Sequence, residues 1–436
     1  VMEFEVLKRS HAKRNIIIGV IVVFIISAII LNFTSAKYRV ADSVPIINSE
    51  INYKVPDLNM VSLYVANEDG TYIEEDVIPS SGYTLNTEQS YCGQSNNGDI
   101  VKDDTVSIVY ENGSISVNNI TKKGTKCYLY FDVEKTPLFL KDSILDNATS
   151  QLIRSSFAST ITNTTTGTIY YADTSKGRTY YFAGNPTDNW VQFAGFYWRI
   201  IRINEDESIR LIYSGNSESG PVETGEATQI GTSAFNSNDN YSYYVGYTYT
   251  TNRQRPTIQN GGTPSTIKEL LDKWYNDNLK DYDNMIMEES GFCNDRNMAD
   301  GYTWSTTSSS KFYYAATDRL ENNKRPTFEC NNNLDLYSIK TGLLTADEAA
   351  YAGGLLYTSN IHYYLYSNQN YWTMSPHYNT STTPSSRARV FVIGSDGNIG
   401  SNDVNLTYSV RPVINLRSDA TISEGNGTIN SPYIVY

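Results

Sequence analysis

The residues of this chain able to do acid–base, nucleophilic or metal chemistry are few. Histidine occurs three times, at His11, His362 and His377, and cysteine four times, at Cys92, Cys127, Cys293 and Cys330. A Ser–His–Asp triad needs a histidine set as base beside a nucleophile. Neither His362 nor His377 lies in a nucleophile motif, and there is no G-x-S-x-G, no H-E-x-x-H and no phosphate-cradling glycine loop. No Cys or His cluster has metal-ligand spacing, so neither a metal nor a cofactor is expected. The carboxylates are scattered, and Asp295, Asp300 and Asp318 read as solvated loop groups. Asp396-Gly397-Asn398 lacks the spacing of a calcium-binding loop and reads as a hairpin turn. Four cysteines allow three pairings. Neighbours in sequence pair most simply, as Cys92–Cys127 and Cys293–Cys330, with four free buried thiols as the alternative. Bridged cysteines leave no thiolate nucleophile, and the chain reads as a non-enzyme with no catalytic residue.

Binding chemistry is better represented. From Tyr371 to Leu416, Trp372, Met374, Val390, Phe391, Ile393, Val404, Val410, Val413, Ile414 and Leu416 read as core. The residues between them are His, Tyr, Asn, Thr, Ser, Arg and Asp with no period of their own, as on a display surface carried by a stiff frame. The chain holds 36 tyrosines, a residue that packs its ring while keeping a polar tip, and so suits contact surfaces. Its net charge of −13 argues against nucleic acid as a partner.

The elements that must carry this surface follow in order. Residues 1–14 form a short basic tail, with Lys8, Arg9, Lys13 and Arg14. Residues 15–33 contain the uncharged apolar run Ile16–Phe33, which predicts an uncleaved membrane-spanning signal anchor. The basic tail places the N-terminus in the cytoplasm and the remainder outside the cell membrane, a single-pass arrangement. A cleaved signal peptide is the competing reading. Residues 34–49 read as a juxtamembrane spacer. Residues 50–135 alternate in the manner of strands, with Asn112-Gly113 at one hairpin turn, and predict a small, loosely Ig-like β-sandwich bridged by Cys92–Cys127.

Residues 136–436 form a second, larger domain, so the fold class expected is α+β. Lys141 to Thr149 predicts a short helix capped by Asp142. Thr168 to Phe182 and the dense run from Asn189 to Gly215 predict hairpins, the second of them central. Gly215 to Gly262 reads as a surface excursion. Pro264 to Met287 predicts the main helix, with Thr266 and Glu269 at capping-box spacing, and Thr345 with Glu348 predicts a second capped helix. The loop between them carries Cys293 and Cys330.

Four segments, FAGFYWRIIRI, GLLTADEAAYAGG, YWTMSP and SVRPVINL, occur in that order. In this order they resemble bacterial surface proteins with a C-type-lectin-like domain. That fold is shared with the formylglycine-generating enzyme and with the variable proteins of diversity-generating retroelements. Tyr371, Trp372, Met374, Ser375 and Pro376 match the strand that opens the family's terminal region. Val410, Arg411, Pro412 and Val413 match the closing strand, with Ser409 where Gly is common. The calcium-dependent sugar signature is absent, and the catalytic cysteine pair has no positional match. The resemblance implies recognition of an external protein or glycan by the terminal strands. In variable proteins, those strands present positions changed by adenine-directed mutagenesis. The matching positions are His377, Tyr378, Asn379, Arg387, Arg389, Val392, Gly394, Ser401, Asn402, Asp403, Asn405, Leu406, Thr407 and Tyr408. The alternatives are an enzyme of the formylglycine-generating type and a structural envelope protein that binds nothing specific.

Overall fold

The computed structural model describes residues 58–436 except 68, 97–98, 112, 135–136, 251–261, 305–310, 331–334 and 383–384. The predicted tail, membrane anchor and spacer lie outside the described residues. Among the described residues no helix is long and apolar enough to cross a membrane. The chain divides into two compact units, Val1–Thr136 and Pro137–Tyr436. Both are built mainly from β-sheet, with a few short helices in the second.

The first unit is a six-stranded sheet and a separate hairpin. The sheet runs in the order Tyr72–Glu75, Leu58–Ala66, Thr125–Val133, Tyr91–Asn96, Asp99–Lys102, with Tyr83–Leu85 also on Thr125–Val133. Strand Thr125–Val133 alternates strictly. Thr125, Cys127, Leu129 and Phe131 are buried, while Lys126, Tyr128 and Tyr130 are partly open on the other face. The hairpin Ser107–Glu111/Ser114–Asn118 contributes Ile115 to the same small core. Cys92 is bonded to Cys127, and the two face each other on adjacent antiparallel strands. The bridge therefore staples strands within one sheet, whereas in an Ig-like sandwich it ties two sheets together. One strand pair, Leu58–Ala66 with Thr125–Val133, is parallel.

The second unit holds an eleven-stranded and a six-stranded sheet. The predicted central hairpin is Phe196–Ile203/Ile209–Asn216, buried nearly throughout, and it pairs onward to Val413–Leu416. The main helix is shorter than predicted, Thr266–Asn278, followed by a single turn at Lys280–Tyr282. Its cap is Ser265, one residue before the predicted Thr266, and the Ser265 hydroxyl accepts from Lys268 N at 3.3 Å. The Asn276 and Asn278 side chains donate to carbonyls four residues back, competing for the backbone near its end. The helix Leu140–Asn147 has Phe139 at its cap position, with Asp142 inside the first turn. The Thr345–Glu348 capping box is present at helix Ala346–Tyr351. The predicted surface excursion is partly internal. Thr232–Ala234 joins the smaller sheet, and Phe235, Val245 and Tyr247 are fully buried.

Candidate functional site

The smaller sheet runs Thr232–Ala234, Thr407–Ser409, Tyr371–Thr382, Ser385–Ile393, Ile399–Asp403, with Phe312–Tyr313 also on Tyr371–Thr382. Its frame is the apolar set read from the sequence. Trp372, Met374, Val390, Phe391, Ile393, Val404, Val410, Val413, Ile414 and Leu416 are all fully buried. Polar anchors fix the opening strand. Trp372 Nε1 donates to Ser233 O at 2.8 Å, Thr373 Oγ1 to Phe391 O at 2.7 Å, and Asn294 Nδ2 to Met374 O at 2.7 Å. Arg411 is also internal, donating to the carbonyls of Tyr213 and Leu365. Asp396 and Asn398 form the hairpin turn between Ser385–Ile393 and Ile399–Asp403, with Gly397 at φ +78°.

The fourteen positions separate into two groups. Tyr378, Arg389, Ser401, Asn402 and Tyr408 are half-buried, and Arg387, Asn405, Leu406 and Thr407 are exposed. His377, Asn379, Val392, Gly394 and Asp403 are buried. Strand Tyr371–Thr382 departs from regular register between Trp372 and Pro376, and again between Pro376 and Tyr378. Such irregularities break the two-residue alternation and re-aim side chains. His377 therefore faces inward, its ring 4.3 Å from that of Phe391. Both its nitrogens lack a hydrogen-bond partner among the described residues. Burial pushes its pKa down to about 3, and the charges of Arg389 and Lys311 act in the same direction.

Asp403 organises the exposed side. Arg389 Nε donates to it at 2.5 Å, Arg387 also pairs with it, and Arg387 lies 3.9 Å from Asp239. Burial, then repulsion from Asp403, holds the Asp239 carboxyl above its usual range, against the pull of Arg387. Beyond Arg389 stands Tyr378, its ring centre 5.2 Å from the guanidinium. Tyr313, opposite Tyr378 in register, lies 5.4 Å from it ring to ring, and Tyr302 lies 5.4 Å from Tyr313. Lys311 Nζ is 5.0 Å from the Tyr313 ring and 5.7 Å from that of Tyr378. Tyr357 is tied to the same sheet by its N–H, which donates to Ile399 O at 2.9 Å, and it is 58% exposed at φ +55°, a conformation costly for a bulky residue. Partial burial and then Glu321, Tyr378 and Tyr313 raise its phenol to about 12. Tyr302, Lys311, Tyr313 and Tyr357 were not legible as site residues. They lie outside the terminal stretch, and a left-handed tyrosine leaves no sequence signal.

A second concentration of charge lies inside the unit. Asp295, expected to be solvated, is buried and accepts from Arg319 at 2.7 Å, while Arg319 also grips Asp347 at 2.8 Å. Arg210 Nε sits 2.6 Å from Glu348, off the line of a hydrogen bond, and Arg202 lies 3.4 Å from the same carboxylate. These groups and the Cys293–Cys330 bridge border a cavity of about 60 Å³. Each of these cations has a carboxylate beside it, which makes the cluster a charge-compensated brace. Among the described residues no group of three or more His, Cys, Asp or Glu could hold a metal ion. No family model, curated protein or solved structure matches this chain.

Proposed function

We propose that this is a cell-surface recognition protein whose terminal sheet binds an external protein or glycan. The observation that supports it most is the sorting of side chains on the smaller sheet. A fully buried apolar frame carries Tyr378, Arg387, Arg389, Asn402, Leu406 and Tyr408 as exposed or half-buried side chains. Tyr and Arg supply most contact energy at recognition surfaces, and small polar neighbours adapt around them. On this reading the first unit is a spacer and the apolar run Ile16–Phe33 anchors the chain in the membrane. The C-type-lectin-like character of the second unit, and its likeness to retroelement variable proteins, belong to the same proposal. A reverse-transcriptase gene beside this one, with a near-copy of the codons for residues 371–416 differing only at adenines, would support diversification.

The test is the triple variant Arg387→Ala, Arg389→Ala, Tyr408→Ala on the full chain displayed on cells. Adhesion to a panel of partner cells should fall at unchanged surface level. Adhesion equal to that of the parent chain would remove this surface from consideration. The enzyme alternative calls for reactive cysteines, and all four are in bridges. Thiol titration and metal analysis of the chain as secreted test that alternative directly.

A further inference from the structure

We infer that the patch centred on Tyr378 takes an acidic segment of a protein partner, with its carboxylates held between Lys311 and Arg389. The inference rests on the recognition reading and names the chemistry of the partner. The patch carries Lys311, Arg387 and Arg389 against Asp403 and Asp239, one cation in excess, in a chain whose net charge is −13. Lys311 is exposed, and among the described residues no carboxylate lies within ion-pair distance of it. The titratable groups that act on it are the phenols of Tyr313, Tyr378 and Tyr302, with no carboxylate among them. Arg389 shares Asp403 with Arg387, which also lies 3.9 Å from Asp239. Both Lys311 and Arg389 flank the same Tyr378 ring, at 5.7 and 5.2 Å from its centre. A carboxylate arriving there meets two cations and the donating phenol of Tyr378. Glu321, the carboxylate that acts on Tyr357, is not among the charges that act on Lys311.

A protein segment fits better than a sugar. Sugars stack on free aromatic faces, but here the cations already lie against Tyr378 and Tyr313. What remains open is edges, hydroxyls and the partly exposed residues Tyr302 and Tyr357, a composition suited to protein contacts. Tyr357 is held in a left-handed conformation while leaving much of its ring in solvent, strain of the kind that concentrates at sites of contact.

The test selects random 12-residue peptides displayed on phage against the full chain. Selected peptides are then measured against the parent, Lys311→Glu and Tyr357→Gly. Lys311 is exposed and forms no ion pair among the described residues, and glycine relieves the strain at position 357, so both variants should keep the parent unfolding transition. The expected peptides are rich in Asp and Glu. They should bind roughly tenfold more weakly to Lys311→Glu, and weaken as salt is raised. They should also lose affinity for Tyr357→Gly. Neutral or basic peptides, no enrichment, or affinity indifferent to Lys311→Glu would overturn the inference. So would a hyaluronan octasaccharide binding where acidic peptides do not, which would make the ligand an acidic glycan. If selected peptides ignore Lys311 yet lose binding to the Arg387/Arg389/Tyr408 variant, the recognition surface stands and only its acidic preference falls.

Discussion

In the first unit five tyrosines, Tyr64, Tyr72, Tyr91, Tyr128 and Tyr130, stand partly exposed, and each ring lies against another tyrosine ring. Tyr64 and Tyr130, paired in register across parallel strands, stack at 4.7 Å. Tyr72 meets Tyr130 edge-on at 5.1 Å, and Tyr91 stacks on Tyr128 at 5.2 Å. In the second unit Tyr378 and Tyr313 stand beside cations, and Tyr357 is turned out to solvent. The same residue type thus does two jobs. Where rings satisfy one another, cross-strand pairing stabilises the sheet. Where cations take the ring faces, the surface carries positive charge beside the rings.

Acid should separate the two units most strongly. His377 is neutral in the fold, with a pKa of about 3, against an ordinary value of 6.5. Its contribution is complete above pH 6.5 and is lost as pH falls from 6.5 toward 3, because the unfolded chain takes up the proton first. The loss is about 1.4 kcal/mol per pH unit, about 5 kcal/mol in all. The described residues of the first unit include no histidine. Unfolding followed between pH 7 and pH 4 should show the second unit's transition falling more steeply, with the difference reduced in His377→Phe. If the variant keeps the parent's slope, the contrast fails. A smaller effect is expected from Tyr130→Ala, which removes one stacked and one edge-on contact. The first unit should lose about 2 kcal/mol, measured by denaturant unfolding, with peptide binding untouched. A binding loss would show that this tyrosine face also contacts ligands. The smallest effect is Asp403→Asn. Stability should fall by about 1 kcal/mol, because its arginine partners are partly solvated. Acidic peptides should bind more tightly by calorimetry, because the patch gains net positive charge.

Much of the frame was legible because it rests on local rules. The capping box at Thr345 and Glu348, the turn at Asp396–Asn398 and the pairing of neighbouring cysteines each depend on residues close in sequence. The apolar residues read as core in the terminal stretch all proved buried. The facing of the polar residues was not legible. Two register irregularities in Tyr371–Thr382 turn His377 inward, and Asp403 is buried beneath the arginines it holds. Asp295 read as a loop group because its partner Arg319 comes from another part of the chain. Lys311, Tyr313 and Tyr357 reach the patch through tertiary pairing alone.

The larger sheet of the second unit joins its distant strands. Leu138–Phe139 pairs with Thr421–Glu424, and Trp190–Phe193 pairs with Tyr433–Val435. Pairings between such remote segments form slowly, since a long loop must close before any contact rewards it. The local hairpins can assemble while the chain is still emerging from the ribosome. The larger sheet closes only after the strand Tyr433–Val435 has been made, so a nascent chain cut short before that strand leaves the second unit open and subject to proteolysis.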